Sequence, residues 1–577
     1  MKIDMVGLNI VNSSLVAVCR EMGIRLMKTA YSTIFNEGLD FTCALSTPEG
    51  DMLAVAEFCP AQIGAMPVII EACANEIPVK EWEEGDVIIH NDPYRGGCHI
   101  PEHTVFKPVF YKGDLVGLAV AIGHIAEVGG NAPGAFCGDA TEIFHEGFRV
   151  PPVKIKRRGK EVPDVWKLML ANVRTPRVNY GDLRALISAI DLGEKRFLEL
   201  LQKYGRNYTL RTCQDILEYS ERRMRAEIRT MPDGVYTFED YLDDDGVVDE
   251  SIRLQATLII DGDRIIVDYT GSSKQARGCI NATFGVTTSA TYNAILHVTD
   301  PEIPKNSGCF RPIKIIAPPG SVVNVDYPAP EVGGNTETHP KIAMTVMGAL
   351  AQAVPGKVMA SEGATATNFV FGGMHPDYNE YYACYDLEGC GWGGRAFADG
   401  NNSLCVINGN CRLIPVEVFE TRFPWIIHEF KLHENSGGAG KFRGGLGLVK
   451  VLQARADEIT VSQVSDRHKI APWGLFGGGM GGRGRTFVKR KGSEEWRTVK
   501  EEFGTKSTST SANRTLNSGD RIILVTPGGG GFGDPKERAT DLVMNDVLEG
   551  FISLDDATLA YGLSKQQVES LKAELSG

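Results

Sequence analysis

Apolar side chains near the start of the chain recur at the spacing of an α-helix. Leu8, Val11, Leu15 and Val18 follow one another at intervals of three or four residues. This interval places them on one face of a helix, with polar residues at most of the intervening positions. The pattern therefore predicts an amphipathic helix over about residues 6–29.

A different pattern follows, in which short apolar and β-branched runs are bounded by turn residues. Residues 40–45 and 86–90 are predicted strands of this kind. Residues 104–110 and 115–122 are two longer runs, joined by the turn sequence Tyr-Lys-Gly-Asp at 111–114. Two such runs around a tight turn indicate a β-hairpin.

Helical spacing returns after residue 180 and gives way to strands again near residue 231. Residues 183–204 are predicted to form one helix. Thr212-Cys213-Gln214-Asp215 resembles a capping box, which predicts that a second helix begins there and continues to about Thr230. Alternating runs with Asp-Gly turns then predict strands at 235–241, 252–260 and 264–269.

This order of elements predicts an α+β protein of several domains, with β-rich mixed sheets between an amphipathic N-terminal helix and a helical C-terminal tail. Later helices are expected at residues 340–353, 539–547 and 565–575. The predicted domains are an N-terminal metal-site domain (1–230), a glycine-rich region containing one or more sheet domains (231–535) and the helical tail (536–577).

Composition and charge exclude some classes of protein. The formal net charge is -13 and no basic run is present, which argues against a nucleic-acid binder. No apolar run reaches the ~20 residues that a membrane span requires, and no signal peptide is expected. The 13 cysteines include no Cys-x-x-Cys pair, so reduced thiols in a cytoplasmic protein are expected.

Histidines and acids are concentrated between His90 and Pro133. They include His99, His103, His124, Asp92, Glu102 and Glu127. Imidazole and carboxylate groups are the usual ligands of Zn, Mn or Fe. His99 and His124 flank the two ends of the predicted hairpin, which can bring them together. The segment therefore predicts a divalent metal site with two imidazoles and one or two carboxylates.

Structural roles for the same side chains remain an alternative. His90 and His124 could end core strands, and His103 could be a buried polar group with satisfied hydrogen bonds. Asp40 begins the strand predicted at 40–45. It is either a solvated or capping acid, which is the commoner case, or a third carboxylate that faces the metal.

Glycine-rich segments dominate the second half of the chain. Residues 436–445 fail as a phosphate-binding loop because Lys441 is followed by Phe442. Segments 479–484 and 528–533 match the dinucleotide fingerprint, but neither lies in a strand–helix–strand unit, and we interpret them as turns in sheets. No cofactor-binding site is therefore predicted in this chain.

Two further loops are candidates for lining a pocket. Residues 333–339 precede the helix predicted at 340–353, where main-chain amides could hold an anion, although a plain helix cap is the simpler interpretation. Residues 389–402 form a glycine-rich loop that contains Arg395. This loop either lines a pocket or forms a surface Ω-loop.

Several longer motifs resemble the hydantoinase B/oxoprolinase family. Two of them are Asn-Asp-Pro-Tyr-x-Gly-Gly-x-His at 91–99 and His-x-x-Glu-Val-Gly-Gly-x-x-Pro-Gly at 124–134. Others are Gly-Asn-x-Glu-Thr at 334–338, Ser-Gly-Gly-x-Gly-x-x-Arg-Gly-Gly at 436–445 and Thr-Pro-Gly-Gly-Gly-Gly at 526–531. The motifs stand in family order, so the resemblance covers essentially the whole chain.

This resemblance implies the metal-bearing subunit of an enzyme in which a separate hydantoinase A-type subunit carries ATP and Mg. The implied reaction is ATP-dependent opening of a cyclic amide, such as a hydantoin, 5-oxoproline or a lactam. The alternative is the metal-bearing subunit of an ATP-dependent ketone carboxylase. A non-catalytic scaffold and a stand-alone metallohydrolase are weaker alternatives. The implied assembly is a hetero-oligomer, such as a dimer of heterodimers.

The resemblance also implies roles for individual residues. The four metal ligands of the family match Asp40, His99, Glu102 and His124. Glu127 or His103 would support these ligands or carry a proton. Residues expected to face the substrate are Asn335, Glu337 and Arg395.

The sequence departs from the family pattern in several places, one of which is the presence of His103. Glu102 and Glu127 stand where Asp is usual, and Gln62 stands where many relatives have His. A longer acidic side chain moves its carboxylate by about one methylene, which leaves the ligand set and the metal open. His103 could substitute for Glu102 or add to it.

Overall fold

The computed structural model describes residues 4–575, which contain fourteen α-helices and twenty β-strands. The helices are α1 (Met5–Thr29), α2 (Thr33–Asn36), α3 (Met66–Glu76), α4 (Pro163–Ala171), α5 (Pro176–Tyr204), α6 (Arg206–Ile228), α7 (Phe284–His297), α8 (Ser307–Phe310), α9 (Thr338–Ala353), α10 (Val416–Arg422), α11 (Val499–Phe503), α12 (Thr540–Leu548), α13 (Leu554–Tyr561) and α14 (Lys565–Leu575).

The strands are β1 (Phe41–Ser46), β2 (Met52–Val55), β3 (Val87–His90), β4 (Glu102–Tyr111), β5 (Asp114–His124), β6 (Val153–Arg157), β7 (Lys160–Glu161), β8 (Gly234–Leu242), β9 (Ile252–Asp261), β10 (Arg264–Asp268), β11 (Ile313–Ile316), β12 (Asn368–Met374), β13 (Tyr381–Asp386), β14 (Trp425–Leu432), β15 (Leu448–Ala454), β16 (Ile459–Val464), β17 (Arg485–Lys489), β18 (Arg497–Thr498), β19 (Thr510–Leu516) and β20 (Arg521–Val525).

These strands form four sheets. Their orders are β2-β1-β5-β4-β3-β6-β7, β11-β10-β9-β8, β13-β12-β16-β19 and β14-β15-β20-β17-β18. Neighbouring strands are antiparallel except for β10 and β11, which run parallel. The mixture of helices with mostly antiparallel sheets confirms the predicted α+β class.

The first sheet holds the β4–β5 hairpin at its centre, and α5 covers one of its faces. Gly123 near the end of β5 permits this close packing, because a Cβ there would lie 2.5 Å from the ring of Phe35. Helix α1 packs against α5 and buries Leu8, Val11 and Leu15. The opposite face of the hairpin is left to contact the rest of the chain.

The glycine-rich segments of the second half pack backbone against backbone. The amide of Gly531 donates to the carbonyl of Gly479 at 2.9 Å, and the amide of Gly529 donates to that of Gly445 at 2.9 Å. A side chain at Gly528 would collide with the carbonyl of Ser436. Segments 479–484 and 528–533, which match the dinucleotide fingerprint, are therefore irregular and lie side by side. Their interpretation as turns in sheets is wrong.

Buried apolar side chains form one large cluster that extends from α1 through the first two sheets to α9. A second cluster joins the third and fourth sheets, and a third lies among α12, α13 and α14. No helix among residues 4–575 is both long enough and apolar enough to cross a membrane.

Most predicted elements are found, but two helix starts are wrong, because α5 begins at Pro176 instead of residue 183 and α6 begins before the proposed capping box. The N-terminal helix, the hairpin and the strands after residue 231 are confirmed. Helix α6 begins at Arg206, six residues before the proposed capping box, and the Thr212 hydroxyl donates to the carbonyl of Tyr208 inside the helix. Helices α12, α13 and α14 confirm the predicted helical tail. The domain boundaries near 230 and 535 stay predictions.

The packing of α1 generates a prediction about stability. Truncating Leu15, which is fully buried, to Ala is expected to lower the free energy of unfolding by about 2–5 kcal/mol, because it removes apolar contacts and leaves a cavity. Ile10→Ala on the exposed face of α1 (46% exposed) is the matched control. Thermal denaturation compares the two variants, and equal midpoints would contradict the packing.

Candidate metal centre

The four predicted ligands approach one another at the ends of β1, β4 and β5. Glu102 lies directly opposite His124 in the antiparallel pair, so both side chains emerge on the same face. His99 belongs to the loop that enters β4, where its carbonyl accepts from the amide of Glu102 at 3.0 Å. Asp40 precedes β1, and its carbonyl accepts from the amide of His124 at 3.1 Å.

The His99 imidazole lies close to both Glu102 and His124. His99 Nε2 lies 3.7 Å from Glu102 Oε1, and the ring centroids of His99 and His124 are 5.1 Å apart. His99 Nδ1 lies 3.0 Å from the carbonyl oxygen of Val332. Donation of the Nδ1 proton to this carbonyl leaves Nε2 as a lone-pair donor, the arrangement common among metal-bound histidines.

Unpartnered polar atoms are concentrated at this site. Neither ring nitrogen of His124 has a hydrogen-bond partner among the described residues, and the same is true of Glu102 Oε2. Their residues are only 1% and 4% exposed. Buried polar groups normally find partners, so these free lone pairs fit a site that a divalent cation would complete.

Burial shifts the pKa of all four groups. It raises the pKa of Glu102 to about 8, with the nearby charge of Asp40 adding to the effect. It raises the pKa of Asp40 to about 6, and it lowers the pKa of His99 to about 4 and that of His124 well below its usual value. Both imidazoles are therefore neutral at pH 7, which is their metal-binding form.

Two side-chain amides orient Glu102. Gln62 Nε2 and Asn335 Nδ2 each donate to Glu102 Oε1 at 2.9 Å. Asn335 Nδ2 also lies 3.5 Å from His99 Nε2. Asn335 was expected to face a substrate, but it contacts two of the predicted ligands directly. Gln62 is the residue that stands where many family members have His.

An aromatic stack orients His124. Its ring lies parallel to that of Tyr385, with centroids 4.2 Å apart. The Tyr385 hydroxyl donates to Asn368 Oδ1 at 2.8 Å, and Asn368 Nδ2 donates to Glu337 Oε1 at 2.8 Å. Glu337 is therefore connected to the centre through Asn368 and Tyr385.

The two residues expected to support the ligands are held by other groups. Glu127 accepts from the amides of Gly129 (2.5 Å) and Gly134 (3.1 Å) and from Arg174. His103 follows Glu102 along β4 and so faces the opposite side of the sheet. Its Nδ1 lies 3.2 Å from the carbonyl oxygen of Pro101.

Arg395 lies in a different part of the fold. Its guanidinium donates to the carbonyl of Asp399 at 2.9 Å and to Asn401 Oδ1 at 3.0 Å. Both partners belong to the same glycine-rich loop as Arg395. The structure therefore brings Asn335 to Glu102 and His99, but it does not bring Arg395 there.

Sequence reasoning missed two thiols at this site. Asp40, Cys59 and Cys411 have ligand atoms that all lie within 4.8 Å of one another, the one such group of three among the described residues. The two cysteines are far apart in the chain and match no metal-binding spacing. Only the folded chain brings them together.

Comparisons with known proteins identify the family of the chain. The chain matches the family described as hydantoinase B/oxoprolinase over residues 4–535. It is 34% identical over 594 residues to a putative D-/L-hydantoinase subunit of Pseudomonas sp. (strain NS671), covering 99% of this chain and 97% of that protein.

Two solved structures share the fold. The crystal structure of the ATP-dependent caprolactamase from Pseudomonas jessenii has a TM-score of 0.89 at 30% identity, covering 99% of this chain and 100% of that chain. A nucleotide-free acetone carboxylase structure also has a TM-score of 0.89, covering 99% of this chain and 83% of that chain, but at 20% identity it shows the fold alone. The family match over residues 4–535 and the full-length similarity to a hydantoinase subunit show that the chain belongs to the hydantoinase B/oxoprolinase family.

Proposed function

We propose that this chain is the metal-binding subunit of an ATP-dependent enzyme that opens a cyclic amide by hydrolysis. The observation that carries the proposal is the set of buried, unpartnered lone pairs on His124 and Glu102 beside His99. The similarity to a hydantoinase subunit and a caprolactamase supports a cyclic amide as the substrate class.

The ATP site belongs to a partner in this proposal. The segment at 436–445 lacks the phosphate-binding sequence, and the amides of Gly479 and Gly529 donate to backbone carbonyls instead of facing a ligand. A hydantoinase A-type subunit would supply ATP and Mg. The assembly would be a hetero-oligomer, such as a dimer of heterodimers in the cytoplasm.

Asp40, His99, Glu102 and His124 would hold the metal, for which Zn, Mn or Fe suit the mixed nitrogen and oxygen donors. A bound divalent metal would polarise a carbonyl or lower the pKa of a water molecule. Gln62 and Asn335 keep Glu102 oriented through its Oε1, which leaves Oε2 free.

The remaining polar residues would position these groups and the substrate. Asn335 keeps a buried, unpartnered Oδ1, and Glu337 keeps a free Oε2, so both could receive hydrogen bonds from a ring amide. Glu127 would fix the loop after His124 through the amides of Gly129 and Gly134. A role of Arg395 at the substrate, and one of His103 as proton carrier, stay predictions.

The reaction is tested with the chain co-purified with its native A-type partner. We expect cyclic amides to be converted to ring-opened acids with consumption of ATP. A parallel panel of ketones with labelled bicarbonate separates the alternative, because a carboxylase would place the label in the product. Incorporation of label, with no reaction of any cyclic amide, would overturn the proposed hydrolase.

The ligand set is tested by metal analysis of purified variants. In a Cys59→Ser, Cys411→Ser background, in which the neighbouring thiols cannot retain metal, His99→Ala and His124→Ala are each expected to reduce bound Zn, Mn or Fe at least ~10-fold. Losing a ligand costs no less than losing one of its supporting partners. His428→Ala is the control, because this exposed histidine bonds to Gln453 on the fourth sheet. Unchanged metal content in both site variants would remove the basis of the proposal.

The aromatic stack generates a separate prediction about metal affinity. Tyr385→Ala removes the ring that orients His124 and is expected to weaken metal binding by ~10–100-fold, the usual range for groups that support ligands. Tyr385→Phe keeps the ring, loses only the bond to Asn368, and should bind nearly as well as the wild type. Competition with a chelator of known affinity measures both, and equal losses would contradict a role for stacking.

A further inference from the structure

A cluster of thiols adjoins the candidate metal centre and has no part in the proposed reaction. Cys59 is 4% exposed and Asp40 is 7% exposed, while Cys411 is half-buried. The two sulfurs and a carboxylate oxygen of Asp40 lie within 4.8 Å of one another, and the Cys59 thiol donates to the carbonyl of Asn408 at 3.6 Å. The sulfur of Cys411 also contacts the thiols of Cys59 and Cys405.

The backbone around this cluster is held by hydrogen bonds between distant segments. The amide of Arg412 donates to the carbonyl of Gly38 at 2.8 Å, and the amide of Cys59 donates to that of Phe41 at 3.0 Å. Asn410 Nδ2 donates to the carbonyl of Glu57 at 3.0 Å. The segments that carry Cys59 and Cys411 are thus both tied to the chain around Asp40.

The electrostatic balance of the cluster is incomplete. Among the described residues, the Asp40 carboxylate forms no ion pair with Lys or Arg, and the two thiols lie beside it. Thiols are weak hydrogen-bond donors, and a buried carboxylate without a cation is costly. A cation bound between the Asp40 carboxylate and the two thiols would balance the carboxylate charge and use the lone pairs of both sulfurs.

We propose that Asp40, Cys59 and Cys411 form a second metal site, selective for a thiophilic divalent cation such as Zn²⁺ and sharing Asp40 with the imidazole site. Thiolate sulfurs favour such cations over Mg²⁺ or Ca²⁺. Binding forms two metal–sulfur bonds and one metal–oxygen bond, and the two thiol protons pass to solvent. Sulfurs around tetrahedral zinc stand about 3.7 Å apart, so ligand atoms within 4.8 Å of one another need only a small contraction.

Cobalt provides a direct signal, because thiolate ligation gives Co²⁺ an intense charge-transfer band in the near ultraviolet that imidazole and carboxylate ligation does not. Titration of the anaerobic, metal-free full chain with Co²⁺ is expected to produce this band. Cys59→Ser and Cys411→Ser should abolish or strongly reduce it. Cys98→Ser is the matched control, since Cys98 is a buried thiol that contacts Glu102 instead of Asp40, and it should leave the band intact.

The imidazole site is removed to separate this proposal from the proposed function. In a chain that carries both His99→Ala and His124→Ala, the Co²⁺ charge-transfer band is expected to persist. Its persistence would show thiolate ligation independently of metal binding at the imidazole site. Absence of the band in the wild type would overturn the second site and leave the imidazole site standing. Loss of the band in Cys98→Ser, with retention in Cys411→Ser, would also overturn it.

A measurement on the wild type avoids variants that fail to fold. Alkylation of Cys411 by iodoacetamide, followed by peptide mass spectrometry, is expected to slow at least ~10-fold when Zn²⁺ is added, because a metal-bound thiolate at a buried site is shielded from the reagent. Mg²⁺ should give no protection. Equal alkylation rates with and without Zn²⁺ would contradict the proposal.

Discussion

The register between β4 and β5 is the constraint on which the candidate centre depends. Glu102 lies opposite His124, and a slip of one residue would turn both side chains toward α5. Their neighbours on that other face are His103 and Gly123, and the tight contact of Gly123 with Phe35 leaves no room for a side chain there. Packing of α5 on one face thus holds the ligands on the other.

The centre is built from ionisable groups that the fold removes from water. Desolvation raises the pKa of Glu102 and Asp40 and lowers that of both imidazoles. At pH 7 Asp40 is therefore largely ionised, whereas Glu102 is largely protonated and both imidazoles are neutral. Binding a cation would displace the proton of Glu102 and use lone pairs that have no other partner, which couples metal affinity to pH.

Asp40 occupies the boundary between two kinds of donor. On one side are the imidazoles and Glu102, and on the other are the sulfurs of Cys59 and Cys411. Hard oxygen and softer sulfur donors select different metals. If both proposed sites bind metal, sharing Asp40 would make the occupancy of each site depend on the other.

The α+β class, the N-terminal helix, the central hairpin and three of the four candidate ligands could be predicted from the order of residues alone. Each of these follows from a period of two or 3.6 residues or from a histidine and acid pattern within one short segment. Asp40 entered from the residues only as the less favoured of two interpretations, and the family resemblance made it the fourth ligand. The predicted start of α6 is wrong because the local capping signal at Thr212 is weaker than the packing that extends the helix back to Arg206.

The packing of the glycine-rich segments, and the identity of the distant residues that reach the centre, became visible only in the folded chain. Gln62, Asn335, Tyr385 and Cys411 meet there from separate parts of the chain, and no local periodicity records such contacts. Segments 479–484 and 528–533 matched the dinucleotide fingerprint because close packing of backbone on backbone and close approach of backbone to a phosphate both require residues without a Cβ. The physical reason is the same throughout: local patterns encode which face of an element is buried, whereas the partner that it meets depends on long-range packing.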